Sequence, residues 1–335
     1  MPCVVVLGAS TIDMNMRLGK LPKAGETRLG SGFFMAPGGK GANQAIAARR
    51  AGAEVIFLTA FGDDDLSRNV MEHDRAEGID LTYAKVIVGG SCGVALILVD
   101  DQGRNLIGID PGANFQLTPA DIDALPPSVF APGSILLASL EVPIPVVVRA
   151  VQRARRAGMT VVLNPAPAVD RDLLAEILPL VDILTPNDDE TRQLIPPAVV
   201  TATHRKLEDL PAQESWRETL VYAEMLIRHG SPRVLVTLGE HGCAIVQADS
   251  VGVHLVFMIP GIQVDVVDTV GAGDAFNGAF AAALADGKTV LGAACWANAA
   301  AALSVQKPGA QGGLAHRIAI EQMHIDHPTP GYDLT

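Results

Sequence analysis

The stretch Asp268-Thr269-Val270-Gly271-Ala272-Gly273-Asp274-Ala275-Phe276-Asn277-Gly278 joins two segments with different patterns. Ahead of it, residues 262–267 alternate apolar and polar side chains, which predicts a half-buried strand. After it, residues 275–284 are rich in alanine and place Phe276 and Phe280 four positions apart, which predicts a helix with one apolar face. Only glycine and other small residues lie between the two segments. We therefore expect the chain to turn from strand to helix with almost no side-chain bulk at the bend.

A bend of this kind predicts an anion site. Successive backbone N–H groups point outward at a helix N-terminus, where unpaired donors and the positive end of the helix dipole favour an anion. Asp274 stands in the first turn of the predicted helix. A carboxylate there is positioned to take a proton from a hydroxyl while the amides of Gly271, Ala272 and Gly273 hold a phosphoryl group in transfer. An ordinary helix N-cap explains the same aspartate equally well.

The composition is that of a globular protein with many turns. Of 335 residues, 49% are hydrophobic and 19% are charged, with 33 Gly and 22 Pro, so the chain is long enough for one large α/β domain or two smaller ones. The formal net charge of −12 argues against nucleic acid or an acidic membrane surface as a partner, because no basic patch is available to neutralise phosphates. A polyphosphate ligand is still compatible, since backbone amides, a metal ion and a helix terminus neutralise it locally.

The expected location is the cytoplasm. Cys3, Cys92, Cys243 and Cys295 are scattered without metal-ligand spacing, as isolated thiols are in a reducing compartment. The N-terminal apolar run, residues 3–7, is short and lacks a basic flank, so it does not resemble a signal peptide. No apolar run approaches the roughly 18 residues that a membrane span requires.

Strand and helix patterns alternate through most of the chain. Strand-like runs at 55–60 and 134–140 are followed by helical patterns at 64–77 and 144–157. This order predicts an α/β fold with a central, mostly parallel sheet flanked by helices on both faces. Polar residues that follow the predicted strands are expected to converge at the carboxyl edge of the sheet, where such folds bind ligands. These residues are Asp13, Glu141, Asn164, Asn187 and Thr237.

Two segments, at 14–36 and 85–112, interrupt this alternation with short strand-like runs and turns. Such excursions predict a small β-sheet lid over the site, within a single domain that spans residues 1–335. A closing lid would exclude water from a phosphoryl transfer. Residues 8–13 follow the first strand without the G-x-G-x-x-G spacing, which disfavours a nicotinamide-dependent oxidoreductase. Residues 196–215 indicate an exposed insertion, to which we assign no function.

A second motif, Pro37-Gly38-Gly39-Lys40-Gly41-Ala42-Asn43-Gln44, opens a predicted alanine-rich helix. Its glycines let a ligand approach the backbone closely, and Asn43 offers both a donor and an acceptor to a polyol. It is not a Walker loop, because the spacing differs and Lys40 precedes glycine rather than Ser or Thr. With the 268–278 stretch, this motif resembles the two signatures of the ribokinase-like (phosphofructokinase-B) family of carbohydrate and nucleoside kinases, and it is most similar to the ribokinase branch.

The resemblance extends from residue 4 to about residue 322. It implies a ribokinase-like fold, whose lid often forms a dimer contact, so we expect a homodimer. It implies an ATP-dependent, magnesium-requiring kinase that phosphorylates a primary hydroxyl of a small sugar, ribose being the first candidate. Asp274 would be the catalytic base, and the 271–273 amides would form the anion hole. A nucleoside kinase of the same family, and a non-catalytic sugar or nucleotide sensor on the same fold, are the alternatives.

The resemblance also implies a sugar-binding set. Asp13 would grip two ring hydroxyls through charge-assisted hydrogen bonds, although an ordinary turn residue is the alternative. Glu141 would also contact the sugar, against the alternative of a surface carboxylate. Ribokinases usually carry Asn where this chain has Thr11, which offers a shorter hydroxyl and no amide donor, so ribose itself is in question. The full set is Thr11, Asp13, Gly39, Lys40, Gly41, Asn43 and Glu141.

The nucleotide and metal sites are implied in the same way. Asn187 and Glu190 match an N-x-x-E motif near the phosphates and magnesium, although a helix-capping box fits the same spacing. The other nucleotide-binding residues would be Thr237, Gly239, Gly242, Gly273 and Asn298. An activating monovalent cation, potassium, would be bound mostly through backbone carbonyls. Its residues would be Asp268, Val270, Ser304, Lys307, Gly309 and Gly313.

Overall fold

We describe the protein from a computed structural model. The structure describes residues 3–169, 174, 176–195, 216–228, 230, 233–248, 252, 254–328 and 332–333; the expected insertion at 196–215 lies outside them. The strands are β1 (Val4–Leu7), β2 (Thr11–Leu18), β3 (Gly30–Gly38), β4 (Val55–Leu58), β5 (Ala60–Phe61), β6 (Lys85–Val86), β7 (Gly93–Asp100), β8 (Asn105–Asp110), β9 (Ile135–Ala138), β10 (Thr160–Leu163), β11 (Ile183–Leu184), β12 (Arg233–Thr237), β13 (Cys243–Ala248), β14 (His254–Ile259) and β15 (Tyr332–Asp333). The α-helices are α1 (Lys40–Arg50), α2 (Asp65–Ala76), α3 (Pro119–Asp123), α4 (Ile144–Ala157), α5 (Asp188–Gln193), α6 (Trp216–Arg228), α7 (Ala272–Ala285), α8 (Val290–Ser304) and α9 (Arg317–Asp326).

The central sheet has the strand order β15-β14-β13-β12-β11-β10-β9-β1-β4. Strands β4, β1, β9, β10, β11 and β12 are parallel, and β13 to β15 continue the sheet in antiparallel pairs. The predicted α/β fold with a mostly parallel sheet is thereby confirmed. Within the described ranges, no helix has both the length and the apolar character needed to cross a bilayer.

Helices cover both faces of this sheet, as β1 illustrates. Val4 and Val6 pack into a core with α1, α7 and α8, whereas Val5 and Leu7 pack into a second core with α4 and α6. Side chains alternate between the two faces of a strand. A continuous apolar run such as 4–7 is therefore what a sheet buried on both sides requires.

A separate four-stranded sheet, with the order β3-β2-β7-β8, forms the predicted lid. Cross-strand pairing places Phe34, Asn15, Ile97 and Ile107 in one row. This row lies on the same face as Asp13, because residues two apart on a strand share a face. Phe34 and Ile107 are 53% and 49% exposed, so the face is apolar and only partly covered within the single chain.

The predicted strand at 262–267 is wrong. The strand before the bend is β14, which ends at Ile259, and an irregular loop then leads to α7. Val266 and Val267 are 61% and 63% exposed. The apolar positions of the alternating pattern at 262–267 are therefore not all buried, as they would be in a half-buried strand. The loop is held by another contact: the amides of Val267 and Asp268 both donate to the carbonyl of Val305.

Helix α7 is also more buried than predicted. Residues 274–283 are all buried, on every side of the helix rather than on one face, because α7 is packed between α1 and α8. Its approach to α1 depends on Gly278. A Cβ at this position would lie 2.4 Å from the carbonyl oxygen of Gln44 and 2.5 Å from the Cβ of Ala47, so the two helix backbones are in direct contact.

The substitution Gly278→Ala is therefore expected to lower the free energy of unfolding by about 1–3 kcal/mol, the usual effect of overpacking. The added methyl group meets backbone atoms, which cannot rotate away. Gly273→Ala is the matched control in the same helix, because a Cβ there has no atom within 4 Å. Urea unfolding measures both. Equal stability of the parent and the Gly278→Ala variant would contradict the close helix contact.

Candidate active site

Asp274 is the centre of a buried hydrogen-bond network. It lies in the first turn of α7 and is only 7% exposed. Both carboxylate oxygens accept hydrogen bonds from α1: Asn43 Nδ2 donates to Oδ2 at 2.9 Å, and Gln44 Nε2 donates to Oδ1 at 3.0 Å. Two neutral amides thus hold this carboxylate in one orientation, without a cation in direct contact with it in the described part of the chain.

The side-chain amides of Asn43 and Gln44 are in turn held by hydrogen bonds to other side-chain amides. Gln44 Nε2 also donates to Asn164 Oδ1 at 3.0 Å, and Asn164 Nδ2 donates to the carbonyl of Thr185 at 2.9 Å. On the other side, Gln311 Nε2 donates to Asn43 Oδ1 at 2.9 Å. The roles of Gln44 and Gln311 are not predicted by the sequence patterns above. Gln44 ends a recognised motif, so its position was a usable signal, whereas nothing local singles out Gln311.

The bend before α7 has the geometry of an anion site. Gly271 is the N-cap, with φ at +79°, and no side chain caps the helix. The N-cap alternative for Asp274 is therefore wrong, since its side chain bonds to α1. The space beside Gly273 is open within 4 Å. The Ala272 amide already donates to the Thr269 carbonyl at 3.2 Å. Of the three amides at 271–273, only those of Gly271 and Gly273 therefore lack a partner among the residues that the structure describes.

Charged groups from four elements lie around this bend. Glu141 follows β9 and is half-buried, so the surface-carboxylate alternative is wrong. Its Oε2 accepts a hydrogen bond from the Lys40 amide at 2.7 Å. Burial raises the pKa of Glu141 to about 7, because desolvation penalises the charged form. The nearby Asp274, followed by Glu141, Glu190 and Asp13, raises the pKa of the Lys40 ammonium.

Asp13 belongs to the same cluster. It lies within β2, so the turn-residue alternative is wrong. Burial raises its pKa to about 6, with a further contribution from Asp274. The Thr11 hydroxyl donates to Asp13 Oδ1 at 3.2 Å, which orients it toward that carboxylate. Gly38 lies against Asp13, since a Cβ at Gly38 would be 2.3 Å from the carboxylate.

The glycines at the start of α1 allow a close backbone approach. Gly39 has φ at +90°, and a Cβ there would lie 2.6 Å from the Ala9 carbonyl oxygen. A Cβ at Gly41 would lie 2.5 Å from the backbone of Gly8. The sequence predicted these glycines as ligand contacts; the structure brings them next to the Asp13 and Lys40 cluster and also shows that they are needed for packing.

Asn187 and Glu190 form the helix-capping box that the sequence left as an alternative. Asn187 Oδ1 accepts from the Glu190 amide at 2.7 Å, and Glu190 Oε2 accepts from the Asn187 amide at 2.9 Å. Burial raises the pKa of Glu190, and the nearby Lys40 charge partly opposes this shift. Thr237 is adjacent: its amide donates to the Pro186 carbonyl at 3.0 Å.

Oxygen atoms at this position suit magnesium. The ion keeps several waters and usually takes only one or two protein carboxylates besides substrate phosphates. Glu190 supplies a carboxylate oxygen beyond the one in its capping box. In the described part of the chain, no group of three or more His, Cys, Asp or Glu side chains is placed to hold a metal ion.

Three of the other residues predicted to bind the nucleotide, Gly239, Gly242 and Asn298, lie near the antiparallel part of the sheet. Gly239 begins a short 3-10 turn after β12, and Gly242 ends it with φ at +92°. A Cβ at Gly242 would lie 2.1 Å from the carbonyl of Ile259. Asn298 Nδ2, from the buried face of α8, donates to the carbonyl of Pro260 at 2.9 Å. These contacts bring three separate segments together.

The six residues predicted to bind a monovalent cation lie on two adjoining loops and the end of α8. Asp268 uses its carboxylate to accept the amides of Val270, at 3.0 Å, and Gly309, at 2.8 Å. Gly313 is packed against the carbonyl of Ser304. Lys307 is exposed beside them. Both oxygens of Asp268 are therefore occupied by backbone amides, and the cation site stays a prediction.

Comparisons with known proteins find relatives of the chain and of its fold. The model of the pfkB family carbohydrate kinases matches residues 1–317. The ribokinase of Bacillus subtilis is 35% identical over 321 residues, which cover 96% of this chain and 98% of the relative. The deoxyribokinase of Salmonella typhimurium is 35% identical over 278 residues, which cover 83% of this chain and 84% of the relative. The structure of Arabidopsis thaliana ribokinase complexed with ribose and ATP has a TM-score of 0.79 at 28% identity, over 96% of this chain and 98% of that chain.

The raised pKa of Asp13 predicts that this carboxylate destabilises the fold. Its folded-state pKa of about 6 exceeds the value of 3.8 for a free side chain. Folded protein therefore binds more protons than unfolded protein between these values, and stability falls as pH rises through that window. Asp13→Asn is expected to raise the free energy of unfolding at pH 7.5 by up to about 3 kcal/mol. Thermal unfolding should show the gain shrinking toward pH 4.

The control for this measurement is Asp265→Asn, which alters an exposed aspartate on the loop before α7. It is expected to leave the melting temperature unchanged at every pH. If Asp13→Asn behaves like this control at pH 7.5, Asp13 is not held in the desolvated position that the structure gives it.

Proposed function

The chain belongs to the pfkB family of carbohydrate kinases, and from this premise we propose that it transfers the γ-phosphoryl group of ATP to a primary hydroxyl of a small sugar, with ribose as the first candidate. The observation that carries the proposal is the position of Asp274. A carboxylate fixed by two amides stands directly beside a bend with unpaired backbone N–H groups. This combination provides a base and an anion hole at one point.

In the proposed reaction, the oxygen of the sugar hydroxyl attacks the γ-phosphorus, and ADP leaves. Asp274 accepts the proton of this hydroxyl as the attack proceeds. The amides of Gly271 and Gly273 hold the charge that develops on the phosphoryl oxygens. Lys40 contributes a cation to the same cluster. Most of the acceleration comes from positioning and electrostatics, as expected for phosphoryl transfer. Bound magnesium, near Asn187 and Glu190, would neutralise phosphate charge.

Asp13 is the proposed ligand of two sugar hydroxyls. As an ionised carboxylate it accepts strong hydrogen bonds from them. Ribose is favoured because ribokinase relatives match over nearly the whole chain. The deoxyribokinase relative supports 2-deoxyribose as a second acceptor to be compared. The Thr11 hydroxyl donates to Asp13 and therefore lies beside the proposed acceptor ligand. We expect Thr11 to distinguish between ribose and 2-deoxyribose.

The test is an ADP-release assay over pentoses, hexoses and nucleosides, with and without potassium. The parent is expected to turn over ribose or 2-deoxyribose best and to be stimulated by potassium. Asp274→Asn is expected to lower kcat by about 10²–10⁴-fold, because general-base catalysis is lost, while ATP binding by calorimetry changes little. Activity of this variant within tenfold of the parent would refute the assignment of Asp274.

The same panel separates the alternatives. A nucleoside kinase would prefer adenosine or another nucleoside to every pentose. A sensor would bind a sugar tightly, as seen in thermal shift, and release no ADP with any of them. Asp265→Asn serves as the charge-matched control for Asp274→Asn, since it removes one exposed carboxylate outside the cluster, and its kcat should equal that of the parent.

A homodimer formed through the lid, in the cytoplasm, completes the proposal. The row of Phe34, Ile97 and Ile107 leaves apolar side chains exposed on the lid, and a second copy of the lid would bury them. Exposed apolar patches of this kind mark interaction surfaces. The free thiols Cys92 and Cys243 are compatible with a reducing compartment.

Ile107→Lys is expected to shift the protein from dimer to monomer, since a lysine would have to be desolvated in the lid contact. Light scattering coupled to gel filtration measures the mass directly. Ile318→Lys is the matched control: Ile318 is 80% exposed on α9, outside the lid, and its substitution should leave the mass unchanged. A parent that is monomeric at tens of micromolar would contradict the lid dimer.

A further inference from the structure

A buried polar cluster surrounds Ser10, in the turn between β1 and β2. Ser10 is 1% exposed and Asn114 is fully buried. The Asn114 side chain pairs with the backbone of Ser10 much as a neighbouring strand would: Oδ1 accepts from the Ser10 amide at 3.2 Å, and Nδ2 donates to the Ser10 carbonyl at 2.9 Å. Thr59 Oγ1 also donates to Asn114 Oδ1, at 3.1 Å. The turn is thus fixed by side chains rather than by sheet pairing.

Asp74, on α2, also belongs to this cluster. Asp74 is fully buried, and the Ser10 hydroxyl donates to Asp74 Oδ2 at 3.0 Å. The other oxygen, Oδ1, has no hydrogen-bond partner among the described residues. Leaving a buried polar atom unpaired is destabilising, and the mechanism proposed above makes no use of this carboxyl. Its position next to Ser10 is what remains to be explained.

The cluster lies where the lid joins the body. Ser10 directly precedes Thr11, the first residue of lid strand β2. Asn114 lies in the 3-10 turn Gly112–Gln116, which follows lid strand β8. The cluster therefore ties the first and the last lid strands to each other and, through Asp74, to α2. Asp13 is three residues beyond Ser10 on the same strand.

We propose that Asp74, Ser10 and Asn114 form a hinge clamp that fixes the base of the lid and thereby positions Thr11 and Asp13 for the acceptor. Asp74 is a positioning residue in this proposal, since it acts through Ser10 and touches no reacting group. The proposal rests on the proposed function in one respect, which is the role of Asp13 as acceptor ligand.

The charge state of Asp74 is consistent with a structural link of this kind. Burial raises the pKa of Asp74 to about 7, so the neutral acid prevails in mildly acidic solution. Two other titratable groups lie nearby. Glu77, at the C-terminal end of the same helix, forms an ion pair with Arg50. Cys92 directly precedes β7, and burial raises the pKa of its thiol to about 11. Asparagine has the shape of the neutral acid and retains an oxygen acceptor for Ser10, so Asp74→Asn is the conservative variant.

The test is steady-state kinetics at pH 6.5 with ribose and ATP. Asp74→Leu and Ser10→Ala remove the bond between α2 and the turn. They are expected to raise KM for ribose about threefold to tenfold, the equivalent of one hydrogen bond, while kcat and KM for ATP stay within twofold. Asp74→Asn should restore KM for ribose to near the parent value. Melting temperatures confirm that each variant is folded.

Ser134→Ala is the matched control. Ser134 is as buried as Ser10, but it lies just before β9, where its hydroxyl accepts a hydrogen bond from the Cys3 amide. It should lower stability without changing KM for ribose. If Asp74→Leu and Ser10→Ala also lower only the melting temperature, the cluster merely stabilises the fold and the hinge clamp is overturned.

An Asp13→Asn arm separates this outcome from a failure of the proposed function. If Asp13→Asn raises KM for ribose and the clamp variants do not, the clamp is wrong and the acceptor site stands. If Asp13→Asn leaves KM for ribose unchanged, the acceptor role of Asp13 is wrong, and the clamp loses the residue it was proposed to position.

Discussion

The two hydrogen bonds from α1 to Asp274 join parts of the chain that are 231 and 230 residues apart. They form only if α1 and α7 approach until their backbones touch, which Gly278 permits. Both helices begin at a glycine with positive φ and without a side-chain cap. Two helix N-termini, each with a positive dipole end, therefore meet at one edge of the sheet. The Lys40 and Ala42 amides of α1 are already paired, with Glu141 and with the Ala9 carbonyl. The packing of the core and the polarity of the site follow from the single contact between α1 and α7.

The site collects more negative charge than it neutralises. Asp13, Glu141, Glu190 and Asp274 share one nearby ammonium, that of Lys40. Burial raises the pKa of Asp13 and Glu141 well above the range of free carboxyls, which is destabilising in the absence of ligands. Such conflicts between local stability and local chemistry are typical of functional sites. Hydroxyl donors of a sugar and a bound cation are the kinds of group that would relieve this one.

The sequence predicted much of this architecture because its signals are local. Strand runs such as 4–7 and the glycine bend before α7 follow from chain chemistry alone, and the carboxyl ends of parallel strands necessarily share an edge. Signals failed where tertiary contacts decide. The alternation at 262–267 reflects an extended loop held by the Val305 carbonyl. Ala272 looked like a member of the anion hole, but its amide is taken by Thr269, and the role of Gln311 depends on a partner 268 residues away.

The position of Asp13 couples the proposed acceptor binding to the position of the lid. Asp13 is part of a lid strand and is packed against Gly38 of the neighbouring lid strand β3, yet it lies only three residues from a turn that belongs to the body. A displacement of the lid would carry this carboxylate with it, whereas Asp274, on α7, would stay with the body. The distance between the group proposed to hold the sugar and the group proposed to deprotonate it is therefore set by the base of the lid. In the proposed reaction, closure of the lid would exclude water and would also complete the geometry for transfer.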